Sequence, residues 1–290
     1  MTITSRPRRL PSASWLLLVP ALALLAAILL VPLGQSLLRS IGTPQFTVQH
    51  YASLFTDGVT LKILGRTALT AAIVTVVALV LGYPYAYLMT RVGPRTRGIL
   101  LTIVLIPFWT SVMARNFAWI IILQRGGPVD TFFSFFGIKD AVFYGNVTGV
   151  TIAMSQVLLP FMVLPLYSSL GAIDRKLLLA ARGLGSPPIV AFWKIYWPLS
   201  RGGVVAGLIL VFTLSLGFYV TPALLGSPQE SLIAQLLATR TTQLLDFAGA
   251  GALGMLVLIV TLALVAWANR VGGSVTALGA VATAGTKERS

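Results

Sequence analysis

Residues 170–201 read LGAIDRKLLLAARGLGSPPIVAFWKIYWPLSR, a basic, helix-forming interruption between two long apolar runs. Short connections suffice to turn a chain around, so a loop of this length needs a reason. Asp174 is placed to cap a helix beginning at Arg175, with Gly183 or Gly185 to end it. Ser186 is placed to cap a second helix with Pro187 in its first position, where a missing N–H is harmless. Leu177, Leu178, Ala181 and Leu184 share a face of the first helix, and Ile189, Phe192, Trp193 and Tyr196 share a face of the second. A helix–turn–helix with two apolar faces at a membrane surface is built to touch another protein.

Around this loop the chain is written for lipid. Of its 290 residues, 57% are hydrophobic and 10% charged, with a mean hydropathy of +0.90. A soluble domain carries about a quarter charged residues. The apolar runs are about 20 residues long, enough to cross a hydrocarbon core of roughly 30 Å. They predict an all-α helical bundle with six spans, near 15–38, 67–89, 99–123, 147–170, 203–225 and 248–268. One membrane domain, 15–270, is expected between terminal tails 1–14 and 271–290. Arg6, Arg8 and Arg9 before the first run also fit a signal peptide. The length of the run and the lack of a small-residue cleavage site favour a retained anchor. Residues 124–146 are amphipathic and aromatic, the pattern of a helix lying at the interface.

The net charge of +14 reports topology. Fourteen of the 21 Lys and Arg fall in the N-terminal segment, the 91–97 turn, the 174–201 loop and the C-terminal segment, and six in the alternate loops. Both termini and the 170–201 loop are therefore expected in the cytoplasm. With no basic face on a soluble element, nucleic acid is not an expected partner. The absence of cysteine excludes disulfides and thiol chemistry, and His50 is the single histidine. No phosphate-binding Gly-x4-Gly-Lys-Ser/Thr loop, zinc-protease or nucleophile-elbow motif occurs.

Arg115 is the one charge deep inside an apolar run. Such a charge costs several kcal/mol to insert and ordinarily faces a cavity or a partner. With Trp109, Thr110, Asn116 and, on the fifth span, Tyr219, it is a candidate for a translocation path; snorkelling to the outer interface is the alternative. Pro84, Pro107, Pro160, Pro165 and Pro222 fall within spans, where they can kink helices lining such a path or serve ordinary packing. Tyr83, Tyr85 and Tyr87, with Trp193 and Trp197, read as interfacial anchors.

The segment LLAARGLGSPPIVAFWKIYWPLS (178–200) resembles the "EAA" loop of permease subunits of binding-protein-dependent ABC importers, with Ala180, Ala181, Gly185, Ile195 and Pro198 in the pattern's positions. LGYPYAYLMTR (81–91), IPFWTSVMARNFAWIIIL (106–123), LLPFMVLPLYSSL (158–170) and GFYVTPALLG (217–226) are similar to the spermidine/putrescine branch. The resemblance implies a type I importer-like bundle in the bacterial inner membrane and a non-enzymatic permease role. It further implies polyamine transport through half of a path shared with a second permease, in a heterodimer. Two copies of a cytoplasmic ATPase, carrying the ATP and magnesium, would grip the loop at Leu179, Ala180, Ala181, Gly183, Leu184, Gly185, Ser186, Phe192 and Pro198. A periplasmic or lipid-anchored binding protein would deliver the solute. This chain departs from the pattern where Leu179 replaces the motif's Glu and Gly183 a further acidic residue. Contact with the ATPase is therefore expected to rest on shape and apolar burial, or on the partner permease's loop. The competing readings are a secondary transporter, which usually shows repeated halves and more intramembrane charge, and a membrane-embedded enzyme, which needs a nucleophile or metal cluster.

Overall fold

The computed structural model describes residues 13–42, 49–137 and 143–287. The described residues are helical, in the order α1 (Ala13–Ile41), α2 (Gln49–Thr56), α3 (Gly58–Arg91), α4 (Pro94–Trp109), α5 (Val112–Leu123), α6 (Pro128–Phe135) and α7 (Val147–Gly171). There follow α8 (Arg175–Gly183), α9 (Pro188–Ala191), a π turn (Phe192–Tyr196), α10 (Trp197–Leu216) and α11 (Val220–Leu225). A 3-10 turn (Pro228–Glu230), α12 (Ile233–Thr242) and α13 (Phe247–Lys287) complete the order. Five helices are long and apolar enough to span a membrane, and six if α4 and the arm Val112–Phe135, made of α5 and α6, count as one bent span.

The centre is the packing of α7 between α3 and α10. Val74, Ala78, Met154, Leu158, Met162, Val163, Leu166 and Val211 are all but fully buried there. Within lipid, helices approach where side chains are small. A Cβ at Gly203 would stand 2.8 Å from the Pro165 carbonyl oxygen, a backbone atom, so α10 lies this close to α7 because that position carries only hydrogen. A second, smaller cluster, Leu54, Ile63, Ile233, Ala252 and Leu253, joins α2, the start of α3, α12 and α13.

Several boundaries differ from the sequence expectation. The third span is bent by 98° between Trp109 and Val112. Pro107 lacks the N–H that continues a helix, and the chain breaks three residues later. The fifth span does not run over 203–225: its helix ends at Leu216, and Val220–Leu225 is a separate short helix after Gly217. Its other end reaches back through the π turn to Pro188, giving one rod, Pro188–Leu216, of 29 residues. The second span starts at Gly58, because Asp57 caps it by accepting from the N–H groups of Val59 and Thr60. Within 124–146 the helix is confined to Pro128–Phe135; residues 138–142 lie outside the described residues. The 271–290 segment continues α13 as far as Lys287, and residues 1–12 of the N-terminal segment lie outside the described residues.

Candidate functional site

The 170–201 segment folds as two helices around a projecting turn. Asp174 accepts from the Lys176 N–H at 2.9 Å and starts α8. At the far end the Leu184 N–H bonds the Ala180 carbonyl (3.1 Å) and the Ser186 N–H bonds the Ala181 carbonyl (3.0 Å). Gly185 takes φ +80°, which completes a Schellman ending. The turn is thus held by its own backbone while its side chains point away: Leu184 is 89% exposed and Ile189 72%. Ser186 belongs to this ending and does not cap the second helix; Pro187 is the N-cap and Pro188 the first helical residue.

The expected apolar face of the second helix divides. Tyr196 is buried and Phe192 half-buried, whereas Ile189 and Trp193 stay exposed. Pro198 has no N–H to offer the Lys194 carbonyl, and here the helix widens so that the Trp197 N–H reaches Phe192. Phe192 then packs edge-on to Tyr83 and Tyr87 of α3, and Tyr196 lies 5.2 Å from Tyr87. The tyrosines therefore tie elements together as well as sitting near a span end. Tyr83 and Ser200 hydroxyls are 3.0 Å apart, and Tyr85 donates to the Leu100 carbonyl at 2.8 Å. Of the nine loop residues singled out, Ala180, Ala181 and Gly183 lie on α8, Leu184–Ser186 form the turn, and Phe192 and Pro198 anchor its far side. Leu179 is within α8, but its side chain is outside the described residues.

The two helix breaks line a common cavity of 440 Å³, whose walls include Pro107, Thr110, Arg115, Phe218, Tyr219 and Thr221. Arg115 does not snorkel outward. Its Nη1 donates to the Pro107 carbonyl at 2.5 Å, and Thr110 Oγ1 donates to the same oxygen at 3.1 Å. The carbonyl freed by the bend is so satisfied, as burial in hydrocarbon requires. Arg115 Nε and Thr221 Oγ1 are buried with no hydrogen-bond partner among the described residues, and both residues line this cavity. Gly217 and Tyr219 also line a neighbouring cavity of 410 Å³, so Tyr219 stands between the two.

Three of the five path residues inferred from sequence thus meet at one place: Thr110, Arg115 and Tyr219. Trp109, 89% exposed, is not among the lining residues. Asn116 is buried and donates to the Val112 carbonyl at 2.8 Å, a bond internal to α5. Thr221 and Phe218 were not singled out from sequence, although Gly217 and Pro222 around them are break signals.

Residues 78–271 match the family described as binding-protein-dependent transport system inner membrane component, and the chain belongs to it. It is the membrane-spanning translocation subunit of an ABC importer, a multi-pass protein of the inner membrane in a family of transport permeases rather than enzymes. Permeases of this kind work with a partner permease, an ATPase and a solute-binding protein.

Among its relatives is the spermidine/putrescine transport system permease protein PotB of Haemophilus influenzae, 30% identical over 256 residues, 86% of this chain and 88% of that one. The PotB of Escherichia coli K12 is 32% identical over 226 residues, 77% of this chain and 82% of that one. The fold matches the crystal structure of a bacterial ABC transporter that imports the acidic polysaccharide alginate. The TM-score is 0.73 at 17% identity, covering 91% of this chain and 96% of that one.

Proposed function

We propose that the turn at Leu184–Ser186 seats in the ATPase, and that solute passes the cavity bounded by Thr110, Arg115 and Tyr219. The observation that carries the first role is the turn itself: an apolar tip, 89% exposed at Leu184, on a backbone locked by its own hydrogen bonds. Because α9, the π turn and α10 form one rod, displacement of the tip moves a span whose far end borders the cavity. With the Lys and Arg distribution, this reading puts both termini and the turn in the cytoplasm, against two ATPase copies. A periplasmic or lipid-anchored binding protein docks on the opposite face.

The solute we assign is polyamine-like, after the PotB relatives. The cavity's lining residues include one guanidinium and no carboxylate. A polycation is held by aromatic faces, which Phe108, Phe218 and Tyr219 supply here, and by carboxylates, which on this reading come from a second, different permease. Two identical halves would each present Arg115 to the solute. The pairing on this reading is a heterodimer.

The test uses the cysteine-free chain. A Gly185→Cys variant should resist an impermeant thiol reagent in intact cells, and Leu244→Cys should react; the reverse pattern overturns the orientation. A Cβ at Gly185 meets no neighbour within 4 Å inside the subunit, so the direct cost of Gly185→Leu is chiefly the positive-φ strain of about 1–2 kcal/mol. Insertion should survive and ATPase association should fall sharply. Full association with full uptake would remove the turn from the coupling role. Arg115→Ala should insert normally yet lower uptake or uncouple it from ATP hydrolysis.

A further inference from the structure

A second polar cavity lies at the other end of the bundle, between the ends of α3 and α7, the first turn of α4 and the π turn. Its volume is 120 Å³, and its walls include Arg91, Arg97, Tyr167, Leu170 and Tyr196. We propose that it binds the phosphate of an anionic membrane lipid. Three described side-chain atoms are buried without a hydrogen-bond partner, and the one that does not belong to the Arg115 cavity is Arg97 Nε, on this wall. Arg97 Nη2 reaches only the Val92 carbonyl, at 3.4 Å. Arg91 is held in place by the Tyr87 hydroxyl, which accepts from Nη2 at 2.7 Å, and by the Tyr87 ring, 4.8 Å from its guanidinium carbon. Neither arginine meets a carboxylate among the described residues.

Two guanidinium groups fixed by their surroundings, with N–H donors left over, match the oxygens of a phosphate. The bulk phase at this depth decides the source. Arg91 is the last residue of a span and Arg97 lies in the first turn of the next, which is headgroup level. Leu88 and Ile99, within one turn of them toward the apolar side, are 48% and 61% exposed, a surface suited to acyl chains. Basic pockets between spans at the membrane surface take acidic headgroups in this way.

The test is native mass spectrometry of the detergent-purified protein titrated with phosphatidylglycerol, with phosphatidylcholine or with inorganic phosphate. The wild-type chain should retain one phosphatidylglycerol at least about tenfold more tightly than phosphatidylcholine. Arg97→Gln, and Arg91→Ala with Arg97→Ala, should each lose that preference. Arg95→Ala removes the same charge from the same turn, from a residue that does not line the cavity, and should keep it. Equal loss in Arg95→Ala would reduce the effect to general surface charge and overturn the site. Retention in both arginine variants would overturn it as well. Competition by inorganic phosphate at equal concentration would reassign the cavity to a free anion and overturn the lipid. Thermal midpoints taken alongside identify any variant that has lost its fold, in which case the single Arg97→Gln variant decides.

Discussion

Where α3 and α13 begin and α12 ends, Arg240 stands 3.8 Å from the carboxylates of both Asp57 and Asp246 and donates to Thr60 at 3.1 Å. Arg66 donates to the Gln229 carbonyl at 2.7 Å, and Glu230 accepts from the Val147 N–H at 2.6 Å, on the first residue of α7. Where α3 ends and α8 begins, Arg91 and Arg97 face a cavity, Lys176 and Lys194 have no ion pair among the described residues, and Leu184 and Ile189 project. One end pairs Arg240, Arg66 and Glu230 within the chain, and the other leaves its arginine and lysine donors open. Apolar side chains are exposed at both, Leu244 and Leu245 beside Asp246 as well as Leu184 and Ile189. On the coupling role proposed for the turn, this asymmetry lets one side be gripped while the spans keep their register. An end closed upon itself resists displacement, and an open end offers free energy to a partner.

The largest expected effect is at the closed end. The Arg240 side chain is 16% exposed and is shared among Asp57, Asp246 and Thr60. Arg240→Ala leaves two carboxylates facing each other across α3 and α13, and should cost about 1–3 kcal/mol in the detergent-purified subunit. Thermal unfolding measures it. An unchanged midpoint would mean that this end is no more closed than the other. Glu230→Gln should cost less, ~0.3–1 kcal/mol, since it removes a negative charge from a helix N-terminus and keeps an acceptor.

Acid should probe the same end. The Thr60 hydroxyl, which donates to Asp57 at 2.6 Å, is the main reason its carboxyl is held below the usual value of 3.8. The Val59 N–H follows, and Arg240 adds a smaller pull. A depressed folded pKa means stability that is complete above the unfolded value and is lost as pH falls through the folded one. The contribution should be flat from neutral pH down to about pH 5 and fade below about pH 4. Asp57→Asn should flatten that acid limb by lowering the midpoint at neutral pH toward its acid value; a limb unchanged by the substitution would locate the titration elsewhere.

The span count and the loop were legible because each rests on local signals. Apolar runs mark spans, and Asp174, Gly183 and Gly185 mark where α8 starts and stops. The positive φ of Gly185 is the kind of backbone for which glycine is chosen. The bend of the third span was less legible, since the apolar run 99–123 continues through it, and Pro20, Pro32, Pro84, Pro160 and Pro165 lie within spans without breaking their helices. What distinguishes Pro107 is Arg115, eight residues on, which satisfies its carbonyl. That pairing is tertiary, as is the meeting of the two breaks at the cavity. Residues such as Thr221 and Asn116 look alike in sequence as single polar groups in apolar runs. Only packing separates the one that faces the cavity from the one that bonds its own helix.

The smallest effect on the isolated subunit is expected at the open end, where it is the most informative. Leu184 is 89% exposed, so Leu184→Ser removes almost no internal contact and should move the thermal midpoint by no more than about 0.5 kcal/mol of stability. If the tip is buried in the assembled importer, the same change forfeits the burial of a leucine side chain, about 1.5–3 kcal/mol. Association with the ATPase, measured by titration in nanodiscs, should then weaken about tenfold or more. The two readouts separate the roles. A large loss of subunit stability would mean that the tip packs on its own bundle, and the contrast between the ends would collapse. An unchanged affinity would leave the open end exposed in the complex as well, and the ATPase would have to be held by the basic residues instead.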